Sequence, residues 1–98
     1  MSTVITVDVK ENSGGWECRV IVSDRNSQTV HLVTVEKAYL ARLTESPISV
    51  EILVQRSFEF LLKREPKESI LRKFNLSVIS RYFPEYEREI SQTLRNKL

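Results

Sequence analysis

Two side chains in this sequence are equipped for nucleophilic or proton-transfer chemistry near neutral pH: the single cysteine, Cys18, and the single histidine, His31. A thiol enzyme needs a base beside the thiol and a third group orienting that base. Both residues lie in segments that alternate apolar and polar positions, so both are expected in strands. If the turn between those strands centres near residues 25–26, Cys18 opposes Leu32 or Val33, and His31 shares its face only in the second register. No helix N-terminus or cation is placed to lower the pKa of the thiol. Cys18 therefore reads as a small core residue beside Trp16 and Val20, and His31 as a strand residue with its polar atoms satisfied. No catalytic residue is assigned, and the chain is not expected to be an enzyme.

Metal and phosphate chemistry are no better supplied. One histidine and one cysteine cannot provide the three or four nitrogen and sulfur ligands of a zinc site. Glu85 and Glu89 share a helix face at i, i+4, but they also stand at the start of a helix, where acids are favourable in any case. The two glycines, Gly14 and Gly15, are adjacent and follow Asn12-Ser13, a hairpin signal that does not precede a helix. Neither a dinucleotide fingerprint nor a P-loop can be built from them. No metal and no cofactor is expected.

The most motif-like stretch runs from Ser69 to Phe83. It reads as helix, turn at Asn75-Leu76-Ser77, then a second helix, which resembles a helix-turn-helix with Ser80 and Arg81 opening the second helix. A groove-reading helix needs a polar side and a core-facing side. Leu76 and Ile79 are more closely spaced than that motif places its turn hydrophobe and helix anchor, and Pro84 cuts the second helix short. The candidate nucleic-acid contacts are Lys67, Arg72, Lys73, Ser77, Ser80 and Arg81. Lys63 and Arg64 extend this basic cluster, but Glu65 and Glu68 are interleaved with it, so a solvated face with local ion pairs is the plainer account. The net charge is +2, from −1 over residues 1–50 and +3 over residues 51–98. A nucleic-acid reader usually shows a clearer basic stripe.

These residues must be positioned by a small fold. Ninety-eight residues with 41% hydrophobic and 29% charged side chains suit one domain, 1–98, with a core of its own. In the first third, Ile5, Val7 and Val9 alternate with Thr6 and Asp8. Trp16, Cys18, Val20 and Val22 alternate with Glu17 and Arg19. A third strand runs from Gln28 or Thr29 to Val35, after the polar turn Ser23–Ser27. The period then becomes helical. A helix is expected over 36–43, capped by Thr34, and a central one over 48–64, with Ser46 as N-cap and Pro47 at its first position. Another opens at Pro66, a short one follows Ser77, and a last one starts at Pro84 with Tyr86, Ile90, Leu94 and Leu98 as its apolar stripe. The expectation is α+β: a three-stranded antiparallel β-meander (1–35) followed by a helical block of four to five helices (36–98).

The strings Arg64-Glu65-Pro66-Lys67-Glu68-Ser69-Ile70-Leu71 and Arg81-Tyr82-Phe83-Pro84-Glu85-Tyr86 resemble the C-terminal half of a family of small uncharacterised bacterial proteins. The resemblance covers about residues 58–90. It implies no activity, and no functional residue carries over.

Function is therefore expected in contacts with other proteins. A three-stranded sheet with helices on one side leaves Val4, Ile21, Val30 and Leu32 on the other, where a partner would cover them. Those four and the stripe Tyr86, Ile90 and Leu94 are the candidate self-association residues of a homodimer, or of a complex with another protein. A DNA-binding regulator using residues 69–83 is the alternative. No stretch approaches the roughly 18 apolar residues of a membrane span, and the first residues lack a basic, cleavable leader. With one cysteine there is no internal disulfide to form. A cytoplasmic protein without a membrane partner is expected.

Overall fold

The computed structural model describes residues 3–44 and 48–95. Alternation does what it predicts in the first third. Strands β1 (Val4–Glu11), β2 (Gly15–Ser23) and β3 (Gln28–Glu36) form two antiparallel hairpins. Their inward faces carry Val7, Cys18, Val20, Val22, His31, Val33 and Val35, all buried. Asn12 shapes the first turn, its Oδ1 accepting from the N–H groups of Gly14 and Gly15. Asp24 shapes the second in the same way, through Asn26 and Ser27.

The sheet is not a three-stranded meander. A fourth strand, β4 (Lys73–Asn75), lies parallel to β3, giving a mixed sheet in the order β1-β2-β3-β4. From sequence a helix is expected here, opened by Pro66 and carrying Ile70, Leu71 and Phe74. Instead Lys67–Ser69 makes one 3₁₀ turn and the chain then extends. The free edge of β3 accounts for the difference. Its N–H and C=O groups need partners, and Leu32 N–H donates to the Arg72 carbonyl at 2.8 Å.

Among the described residues four α-helices complete the fold: α1 (Lys37–Leu43), α2 (Val50–Leu62), α3 (Ile79–Tyr82) and α4 (Tyr86–Arg95). β3 continues to Glu36, so Thr34 is a strand residue and not the cap of α1. Ser49 caps α2, its Oγ accepting from Glu51 and Ile52 N–H. Ser46 and Pro47, expected to start that helix, lie outside the described residues, as does Leu98 at the end of the α4 stripe. Leu53, Val54, Phe58 and Leu61 of α2 are buried and form the centre of the core. Phe58 stacks at a tilt on His31 and Phe74, with centroids 5.3 and 6.2 Å apart. On the other side of α2, Ser57 Oγ donates to the Leu53 carbonyl at 2.8 Å, so the Tyr86 hydroxyl must donate to Ser57 Oγ at 2.6 Å. Tyr86, Ile90 and Leu94 are fully buried there. They close the monomer's own core and are not available to a partner. Among the described residues no helix is long and apolar enough to cross a membrane.

Candidate interaction surface

Among the described residues the buried side chains of the strands all lie on one face, and the other face stays open. Cross-strand register arranges it in rows. Thr6, Ile21 and Val30 are neighbours, and the next row holds Asp8, Arg19, Leu32 and Lys73. The row beyond holds Lys10, Glu17, Thr34 and Asn75. Val4 stands at the corner opposite Ser23. Val4 and Leu32 are 55% and 49% exposed, while Ile21 and Val30 are half-buried. All four candidates thus lie on one surface, as an apolar diagonal flanked by two acids and two bases from β1 and β2. None of Asp8, Lys10, Glu17 and Arg19 belongs to any of the ion pairs formed among the described residues.

The register also settles the placement of Cys18 and His31. Cys18 opposes Val33 and Val20 opposes His31, so both side chains occupy the buried face. They are nonetheless not a dyad. The Leu71 carbonyl lies 2.8 Å from His31 Nδ1 and can only accept, so Nδ1 carries the proton. Nε2 is then the acceptor for Thr29 Oγ1, also at 2.8 Å. Both ring nitrogens are committed, and burial pushes the imidazole below its ordinary pKa. Burial likewise pushes the Cys18 thiol up to about 11. Iodoacetamide is expected to leave Cys18 untouched in the folded protein and to label it only as the chain unfolds, since the thiolate is the reactive form. Rapid labelling under native conditions would contradict this placement.

The candidate nucleic-acid residues are scattered. Lys67 is buried and clamped by Asp24 Oδ2 at 2.7 Å and Glu68 Oε2 at 2.8 Å. The Lys67 hydrogen bond holds the Asp24 carboxyl down at about 2. This pair ties the Lys67–Ser69 turn to the β2–β3 loop. Lys73 lies on the open sheet face opposite Leu32, while Arg72 and Arg81 are exposed. Ser77 Oγ donates to Asn75 Oδ1, and Ser80 Oγ to the Ser77 carbonyl. Within residues 69–83 only Ile79–Tyr82 is α-helical, a single turn preceded by a strand and a 3₁₀ turn. Two helices joined by a turn are not formed there. Glu85 and Glu89 converge on Arg64, each at 3.2 Å, and the guanidinium stacks 3.6 Å over Phe60. Among the described residues no three of His, Cys, Asp and Glu converge as metal ligands.

A cleft of about 190 Å³, which no sequence pattern announces, opens between β4, α3 and the end of α2. Phe74 and Phe83 are half-buried in it, and Leu71 and Tyr82 in its lining are 46% and 65% exposed. Exposed apolar side chains beside a three-residue edge strand are invisible to periodicity, because Lys73–Asn75 is too short to show a period of its own. No family model, curated protein or solved structure matches the chain.

Proposed function

We propose that the protein is a non-enzymatic protein-interaction module that self-associates through the open face of its sheet. The observation that carries this reading is the continuous diagonal of Val4, Ile21, Val30 and Leu32 on a surface that no helix covers. Apolar patches of this kind mark contact surfaces. Two acids and two bases around the diagonal, in no ion pair formed among the described residues, suit a second copy better than a polyanion. The committed ring nitrogens of His31 and the raised pKa of Cys18 argue against thiol chemistry. A single buried thiol also fits a reducing, cytoplasmic setting. In sedimentation velocity, the wild-type chain is expected to exceed the monomer mass at high micromolar concentration. Leu32→Glu should lower that mass, because it sets a carboxylate in the middle of the apolar contact. A strictly monomeric wild type, or a Leu32→Glu protein of unchanged size, would overturn the reading.

A further inference from the structure

The sheet also has a long free edge. β1 is eight residues long and ends the sheet on the side away from β4. Which of its backbone groups are free follows from the first hairpin. Asn12 N–H donates to the Gly15 carbonyl at 2.8 Å. Hydrogen-bonded pairs recur every second residue along an antiparallel ladder, so Val4, Thr6, Asp8 and Lys10 are the β1 residues bonded to β2. The other strands obey the same parity. Asp24 N–H to Ser27 O and Lys37 N–H to Gly14 O commit even-numbered β2 residues to β3, and Leu32 N–H to Arg72 O commits even-numbered β3 residues to β4. The N–H and C=O groups of Ile5, Val7, Val9 and Glu11 therefore point out of the sheet. Such an edge is a template for another strand.

Charge selects which strand. When β1 pairs antiparallel with β1 of a second copy, directly opposite residues share a face, and the possible registers step by two. Centred on Asp8 or on Lys10, like charges meet. Centred on Val7, Asp8 meets Thr6 and Lys10 meets Val4. Centred on Val9, Asp8 meets Lys10 of the second copy, twice by symmetry. Within one copy Asp8 already faces Arg19, and Lys10 faces Glu17. Across the junction the order becomes Arg19, Asp8, then Lys10 and Glu17 of the second copy, alternating in sign over four strands. Opposite charges directly across strands stabilise pairing. Val9 adds a second reason. It points toward the helical side yet is 41% exposed, so the helices leave that end of β1 open, and in this register it meets its own symmetry mate.

From this edge, we infer that the protein pairs with a second copy of itself through β1, antiparallel and centred on Val9, to form one continuous eight-stranded sheet. This contact extends self-association beyond the open face: its hydrogen bonds lie along the β1 edge, although Asp8 and Lys10, which set the register, project on the open face. With both contacts made, two eight-stranded sheets stack through their open faces, with the helices outside.

Leu32→Glu serves as the background for the test, because it silences the open-face contact. In that background the chain is expected to sediment as a dimer. Adding Asp8→Lys should give a monomer, and so should adding Lys10→Asp. Mixing those two monomers should restore a dimer. The first variant then carries lysine at both positions 8 and 10, the second carries aspartate at both, and the register sets each lysine opposite an aspartate. Val9→Pro in the same background should also be monomeric with a native circular dichroism spectrum, because the N–H it removes is not bonded to β2. A Leu32→Glu chain that is monomeric at high micromolar concentration overturns the edge contact. Dimers that survive both single charge changes, or monomers that ignore each other on mixing, overturn the register. Neither result bears on the open-face contact, which fails only if Leu32→Glu leaves the wild-type mass unchanged.

Discussion

A Gly15→Ala protein is expected to lose about 3 kcal/mol of stability, the upper part of the usual range for overpacking, while Gly14→Ala stays within about 0.5 kcal/mol of wild type. The two glycines are adjacent, and neither has a positive φ, so a preference for the left-handed region does not separate them. Space does. A Cβ on Gly15 would stand 2.1 Å from the Val35 carbonyl oxygen and 2.9 Å from Glu36 Cα, whereas a Cβ on Gly14 meets nothing within 4 Å. The obstructing atoms are backbone, at the point where β3 turns into α1, and no side chain can swing aside to relieve them. That junction is held on the other side by Lys37 N–H donating to the Gly14 carbonyl. Moving it would disturb the end of the β2–β3 ladder and the start of α1 together. Urea titration of the two variants checks this, with the midpoint falling and the slope constant for Gly15→Ala. Equal losses at both positions would show that turn conformation, and not close approach, is what the hairpin requires.

The same junction shows what was legible in the sequence. Alternation at Ile5/Val7/Val9 and Trp16/Cys18/Val20/Val22 gives the strands, because a sheet with one buried face writes its period directly into residue type. Val4, Ile21, Val30 and Leu32 could be set aside for the same reason: they are apolar and out of phase with the core. Which glycine is indispensable could not be read, since the obstacle at Gly15 comes from Val35 and Glu36, far along the chain. β4 was hidden for a related reason. Lys73-Phe74-Asn75 is too short to display a period, and it extends because β3 has a free edge, not because of its own residues. The Tyr86, Ile90 and Leu94 stripe correctly announced a helix, but an apolar stripe does not say whether it will meet its own core or another molecule. Here Ser57 and Phe60 of α2 receive Tyr86 within the chain. The free groups on β1 were hidden too, because hydrogen-bond parity depends on which residues close the turn.

Replacing His31 by alanine is expected to cost about 3 kcal/mol, combining a cavity against Phe58 with the loss of a hydrogen bond to the part-buried Leu71 carbonyl. His31 is fully buried and is the side chain that ties β3 to the segment leading into β4, through Nδ1–H to the Leu71 carbonyl. Its loss should loosen that segment first. Hydrogen exchange at the Leu32 N–H, which donates to Arg72, should therefore accelerate more than exchange at the centre of the β1–β2 ladder. The same residue makes stability depend on pH just below neutrality. Burial lowers its pKa below the ordinary 6.5 and the nearby Arg72 charge lowers it further, against a smaller opposing effect of the Leu71 hydrogen bond. In the unfolded chain the ring takes up a proton near 6.5; in the folded chain it does so only at lower pH. The unfolded state thus binds more protons in that interval, and stability falls as pH drops from about 6.5 toward the folded value. Above about 6.5 both states are neutral and the contribution is flat. His31 is the only histidine, and the shifted carboxyls, Asp24 foremost at about 2, titrate further into the acid range, so the slope that opens just below about pH 6.5 belongs to this ring. His31→Asn can keep a donor near the Leu71 carbonyl but does not titrate. It should abolish the slope while retaining part of the stability lost in His31→Ala. A slope that persists in His31→Asn would mean that another group, and not the buried imidazole, governs how the fold responds to acid.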